Sequence, residues 1–99
     1  MDRLPLFPLH AVLFPGGVLP LRIFEARYLS MVSQCLRSNS PFGVCLIRSG
    51  SEVGIPADCH DVGTSARITD WSGAAGGLLV VVARGERIFR IRSRQLGEN

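Results

Sequence analysis

Cys59, His60 and Asp61 stand side by side, the residue types of a nucleophile, its base and an orienting carboxylate. Neighbours on an extended chain point to opposite faces, so these side chains do not converge, and His60 reads as a solvated loop histidine. His10 lies among prolines with no carboxylate close in sequence, and reads the same way. Gly63-Thr64-Ser65-Ala66-Arg67 approaches a nucleophile elbow. Arg67 stands where the last glycine belongs, however, and a strand rather than a helix follows. Asp58, Asp61 and Asp70 lack metal-ligand spacing. Cys35, Cys45 and Cys59 are odd in number and contain no close C-x-x-C pair, which argues against both a disulfide scaffold and a zinc site. All three read as reduced thiols, Cys35 and Cys45 in apolar, buried contexts.

All eleven basic residues are arginine. Without lysine there is no Walker A loop, no Schiff base, no Ser-Lys dyad and no lysine general base. The net charge of +3 permits acidic partners without demanding them, since a dedicated nucleic-acid binder concentrates more charge on one face. One stripe stands out. Arg90, Arg92 and Arg94 share a face of the last strand, Phe89 and Ile91 take the other, and Arg84 and Arg87 flank the preceding turn. This is either a solvated sheet face or a phosphate-contacting stripe. One Trp and one Tyr leave little for base stacking. No cofactor is expected.

The elements that would position these groups are short. The 99 residues hold 11 Gly and 6 Pro, which favours many turns over long helices. Leu4–Leu9 is an edge or first strand because of its two prolines. Phe14-Pro15-Gly16-Gly17 is a turn, and Val18–Ile23 a second strand. Between Glu25 and Leu36 the period changes: Tyr28, Leu29, Val32, Cys35 and Leu36 fall on one helical face. Glu25 at the start and Arg37 at the end suit the helix dipole. Phe42–Arg48 is a buried strand and Ser49–Asp61 a loop. Val62–Trp71 is a strand, Ser72–Gly77 a hairpin loop and Leu78–Ala83 a buried strand. Gly85-Glu86 is a tight hairpin leading into Arg87–Arg94. The expectation is a mainly β (α+β) domain of six antiparallel strands, with one helix after the second, in a small, partly open barrel. The prolines within the apolar Leu4–Leu21 stretch forbid a signal or membrane helix, which points to a cytoplasmic protein with no membrane partner.

Several segments together resemble the amino-terminal substrate-binding domain of Lon proteases, a fold also called PUA-like. They are Leu4-Pro5-Leu6-Phe7-Pro8-Leu9, Phe14-Pro15-Gly16-Gly17, and Leu19-Pro20-Leu21-Arg22-Ile23-Phe24-Glu25-Ala26-Arg27-Tyr28. Phe42-Gly43-Val44, Val62-Gly63-Thr64 and Gly85-Glu86-Arg87-Ile88-Phe89-Arg90-Ile91 follow in order. The resemblance implies a bacterial β-barrel subdomain that recognises unfolded or degron-bearing polypeptides, assists assembly and catalyses nothing. In a full Lon protease an ATPase and a Ser-Lys peptidase domain follow. Family members with this domain alone continue into a helical carboxy-terminal half, so residues 1–99 are expected to be the β-subdomain of a stand-alone or truncated member.

Glu25, Arg27 and Tyr28 match the family's E-x-R-Y signature. Their physical reading is structural: Glu25 caps the helix, Tyr28 packs inward and Arg27 pairs with a carboxylate. Leu13, Phe14, Pro15 and Val18 form a proline-containing apolar loop that is hard to explain as solvated surface. It is either a polypeptide-binding patch or packing under the missing half. Three functions remain, in falling order: polypeptide recognition, with edge strands able to accept a partner strand; RNA binding through the arginine hairpin; and an independent hydrolase using Ser65 or Cys59. Exposed strand edges also imply self-association.

Overall fold

The computed structural model describes residues 4–49, 58–73 and 75–92. Its elements are β1 (Leu6–Leu9), β2 (Val18–Ile23), α1 (Ala26–Ser38), β3 (Phe42–Ser49), β4 (Asp58–Gly73) and β5 (Leu79–Arg90), with a 3-10 turn at Ala75–Gly77. The strands form one sheet in the order β1-β3-β4-β5-β2. Phe7 and Leu9 of β1 line the same groove as Leu21 and Ile23 of β2. Strands at opposite edges meet only if the sheet curls, so it is a half-barrel rather than a plane.

The helix follows its sequence pattern. Tyr28, Val32 and Cys35 are buried, and they meet Phe42, Ala66, Val81 and Ala83 in the main core. Asn39 ends the helix in the left-handed conformation (φ 52°), its N–H donating to the Cys35 carbonyl, a termination that asparagine tolerates better than other side chains. We call the face beneath α1 the inner face. On the outer face a smaller cluster gathers Cys45, Ile47 and Cys59 with Leu6 and Ile91. All three cysteines are buried and free of disulfides. No helix among the described residues is long and apolar enough to cross a membrane.

The mainly β class with one helix after the second strand is observed, with corrections. Among the described residues there are five strands, not six, because β5 runs unbroken through Gly85-Glu86. Ser65 faces Arg87 and Ala66 faces Gly85, so Glu86 is an extra, bulged residue and not a hairpin corner. The glycine marks a close approach instead: a Cβ on Gly85 would lie 2.4 Å from the Phe14 carbonyl oxygen. The sheet is not wholly antiparallel, since β1 pairs parallel with β3. Asp58–Asp61 belongs to β4 rather than to a loop; pairing with Ile47 and Ser49 overrides its polar composition. Each free edge of the sheet carries a proline, Pro8 on β1 and Pro20 on β2.

Candidate functional site

The connection between β1 and β2 is held down by bonds that its composition does not advertise. The Thr64 hydroxyl, buried in the core, donates to the Leu13 carbonyl at 2.6 Å. Gly85 N–H donates to the Gly17 carbonyl and Gly16 N–H to the Gly85 carbonyl, both at 2.9 Å. Gly17 N–H closes the turn on the Phe14 carbonyl at 2.8 Å, with Gly16 at φ 83°, a backbone that glycine adopts without cost. Leu13 is thereby driven into the core. Val12 and Phe14, on either side of it, are left 59% and 69% exposed.

Beside this loop the inner face continues past the helix. Val44, Thr64 and Ile88 stand in one cross-strand row. Val62 lies on the same face two residues before Thr64, and its register partner is Arg90. Val12 and Phe14 form one lip of a groove of about 150 Å³, with Leu46, Val62 and Ile88 among its walls. Val62 and Ile88 are exposed, Ile88 by 65%. Burying an isoleucine side chain is worth about 1.5–3 kcal/mol, so a cluster of this kind left open favours association.

The four loop residues singled out from sequence therefore divide. Phe14 forms the groove lip, Leu13 is core, and Pro15 is exposed. Val18 is exposed on β2 opposite Arg84 and does not line the groove. Sequence reasoning missed Val12, Leu46, Val62 and Ile88. A signal was available for Ile88: with Phe89 and Ile91 assigned to one face, Ile88 had to share the other with Arg90, an apolar side chain among charged ones.

The E-x-R-Y residues sit at the far edge. Glu25 occupies the helix N-cap but makes no side-chain cap bond; its carboxylate is taken by Arg27 Nε at 3.0 Å. Only its backbone carbonyl receives the first helical N–H groups, from Tyr28 and Leu29. Arg27 also lies 4.6 Å from the Tyr28 ring centre, a cation–π distance. Tyr28 stacks on Phe7, ring centres 4.3 Å apart. Burial pushes the Tyr28 hydroxyl above its ordinary pKa, the nearby Arg27 charge opposing the rise. A second groove, about 280 Å³, runs here between β1 and β2 past Phe24 and Tyr28. The signature thus ties β1 to the start of α1.

Arg90 keeps to the face opposite Phe89, but the five arginines do not all share one face. Phe89 lies on the outer face, where an added Cβ at Gly43 or Gly63 would touch its ring, and Arg87, two residues earlier, shares that face. Ile88 and Arg90 take the inner one. Arg84 faces Arg67 and Val18 in the ladder. Arg92 is exposed just beyond β5, and Arg94 lies outside the described residues. The residues that resembled a triad alternate: Cys59 is buried and His60 exposed. The Ser65 hydroxyl is engaged by the Arg87 backbone, donating to its carbonyl at 3.3 Å and accepting its N–H at 3.1 Å. Among the described residues no three His, Cys, Asp or Glu side chains are grouped to hold a metal.

Residues 3–99 match the family model of the ATP-dependent protease La (LON) substrate-binding domain. The chain belongs to this family. It is 37% identical over 67 residues to a Lon protease of Anaeromyxobacter dehalogenans, covering 66% of this chain and 8% of that protease. Its fold matches the crystal structure of a Lon N-terminal domain protein from Xanthomonas campestris with a TM-score of 0.80 at 44% identity, over 96% of this chain and 52% of that one. The N-terminal domain of the Mycobacterium avium complex Lon protease matches with a TM-score of 0.65 at 19% identity, over 91% of this chain and 45% of that one, a likeness of fold alone. The Lon-family chain described here thus spans about half of these solved domains and a small fraction of the protease.

Proposed function

We propose that this domain is a non-catalytic recognition module for extended, unfolded or degron-bearing polypeptides, and that the groove between the Phe14 loop and the Val62–Ile88 face receives them. One observation carries the reading. Phe14 is 69% exposed while the backbone around it is fastened to β4 and β5 by three hydrogen bonds and closed on itself by a fourth. A large apolar side chain held out by a fixed loop loses little entropy on binding, the condition for an affinity-dominating contact. The substrate-binding family supports the same role.

The lack of lysine and the engaged Ser65 hydroxyl support a module without chemistry of its own. Binding through side chains, rather than by strand addition, fits the prolines at both sheet edges. The division of the arginines between the two faces weighs against RNA as the ligand. In a titration of the purified chain against a fluorescent unfolded polypeptide, binding is expected to persist at high salt. Phe14→Ala is expected to weaken it about fivefold or more while leaving the thermal midpoint nearly unchanged. Retention of no polypeptide at micromolar concentration would sink the proposal.

A further inference from the structure

We propose that the groove prefers apolar segments flanked by acidic residues, with Arg90 and Arg92 supplying the complementary charge. This rests on the polypeptide-binding reading and names the substrate class of that site. Arg90 is the register partner of Val62, so its side chain emerges on the inner face next to a groove-lining residue. Ile91 packs into the outer cluster, which turns Arg90 the other way on the extended chain; Arg92 follows just beyond the end of β5. Both arginines are exposed.

The disposition of the carboxylates sharpens the point. Glu25, Asp58 and Glu86 are bound by Arg27, Arg48 and Arg67. Arg90 and Arg92 make no ion pair among the described residues, in a chain whose net charge is +3. An apolar floor (Val62, Ile88) with two exposed guanidinium groups at one end matches a ligand with an apolar centre and carboxylates beyond it. Rim charges of this kind act on partner choice and association rate more than on total affinity, and each exposed pair is screened by salt.

The test uses three fluorescent peptides with one apolar centre and flanks of Asp/Glu, Ser/Asn or Arg. Each is titrated by anisotropy against the whole chain at low and high salt. The acidic-flanked peptide is expected to bind about three- to tenfold tighter than the Arg-flanked one at low salt, the preference closing at high salt. Arg90→Gln should reduce the preference, and Arg90→Glu combined with Arg92→Glu should reverse it. Both positions are exposed, and circular dichroism of the variants checks that they fold. Binding indifferent to the flanks would overturn this inference and leave the polypeptide reading standing. An acidic preference that survives the charge reversal would also overturn it. If no peptide binds, both readings fall, and binding of a single-stranded RNA probe instead would reassign the arginines to phosphate.

Discussion

At one end of the inner face Phe42, Ala66 and Val81 are sealed beneath α1, each fully buried. At the other end, on the same strands, Val62 and Ile88 lie open beside the Phe14 loop. Both ends use aliphatic and aromatic side chains on alternating positions of paired strands. They differ in what covers them: a helix with an apolar face on one side, and on the other a loop whose only inward apolar residue is Leu13. Stability therefore concentrates at the covered end, while the open one carries the exposed apolar surface assigned to binding in the proposed function. An apolar residue near a lid contributes to folding; the same residue type past the edge of the lid is available to a partner.

Mutations can break or sharpen this contrast, beginning with the largest effect. Phe42→Ala at the sealed end should cost about 3–5 kcal/mol by denaturant unfolding, the usual toll of a large-to-small change in a close-packed core. Ile88→Ala at the open end should stay within about 0.5 kcal/mol of wild type while weakening polypeptide binding. Equal losses of stability at the two positions would erase the distinction. Gly85→Ala drives a Cβ against the Phe14 carbonyl oxygen and should cost about 1–3 kcal/mol. It should also weaken polypeptide binding, because it dislodges the lip; unchanged affinity would show that the loop's seating is irrelevant. Thr64→Val leaves the Leu13 carbonyl without its donor and should cost about 1 kcal/mol, readable as a lower thermal midpoint. A narrower effect is confined to alkaline solution. Burial raises the pKa of Tyr28 from its ordinary 10.0 and of Cys35 from 9.0. The unfolded chain therefore loses these protons first, and stability present below pH 9 should decline as pH rises through 9 and 10. Tyr28→Phe and Cys35→Ala should each flatten that decline in a denaturation series, and an unaltered pH profile in both would remove burial as its cause.

The same contrast explains how much could be read beforehand. The helix was legible because Tyr28, Val32 and Cys35 repeat with helical spacing, and β3 because Phe42 to Ile47 is apolar throughout. Phe14 was legible as an exposed aromatic in a proline turn. Gly85 was not, because glycine serves equally at a hairpin corner and where another backbone presses close, and only the fold distinguishes the two. The parallel pairing of β1 with β3 leaves no local trace, since its partners are some 37 residues apart. Asp58–Asp61 looked like a loop because a strand facing solvent can be polar at nearly every position once its backbone bonds are met by a neighbour. The groove was half visible: its lip lies in one contiguous segment, but its walls come from three strands and meet only after pairing.

The prolines at Pro8 and Pro20 have a consequence for how such a domain survives its own ligands. Unfolded chains gathered at an open sheet are the natural seeds of cross-β growth, in which each arriving strand becomes the template for the next. A proline offers no N–H to extend the ladder, so at these positions neither rim of the half-barrel can serve as the first rung. Under the proposed function, side chains would hold aggregation-prone sequence while the sheet edges nucleate no fibre.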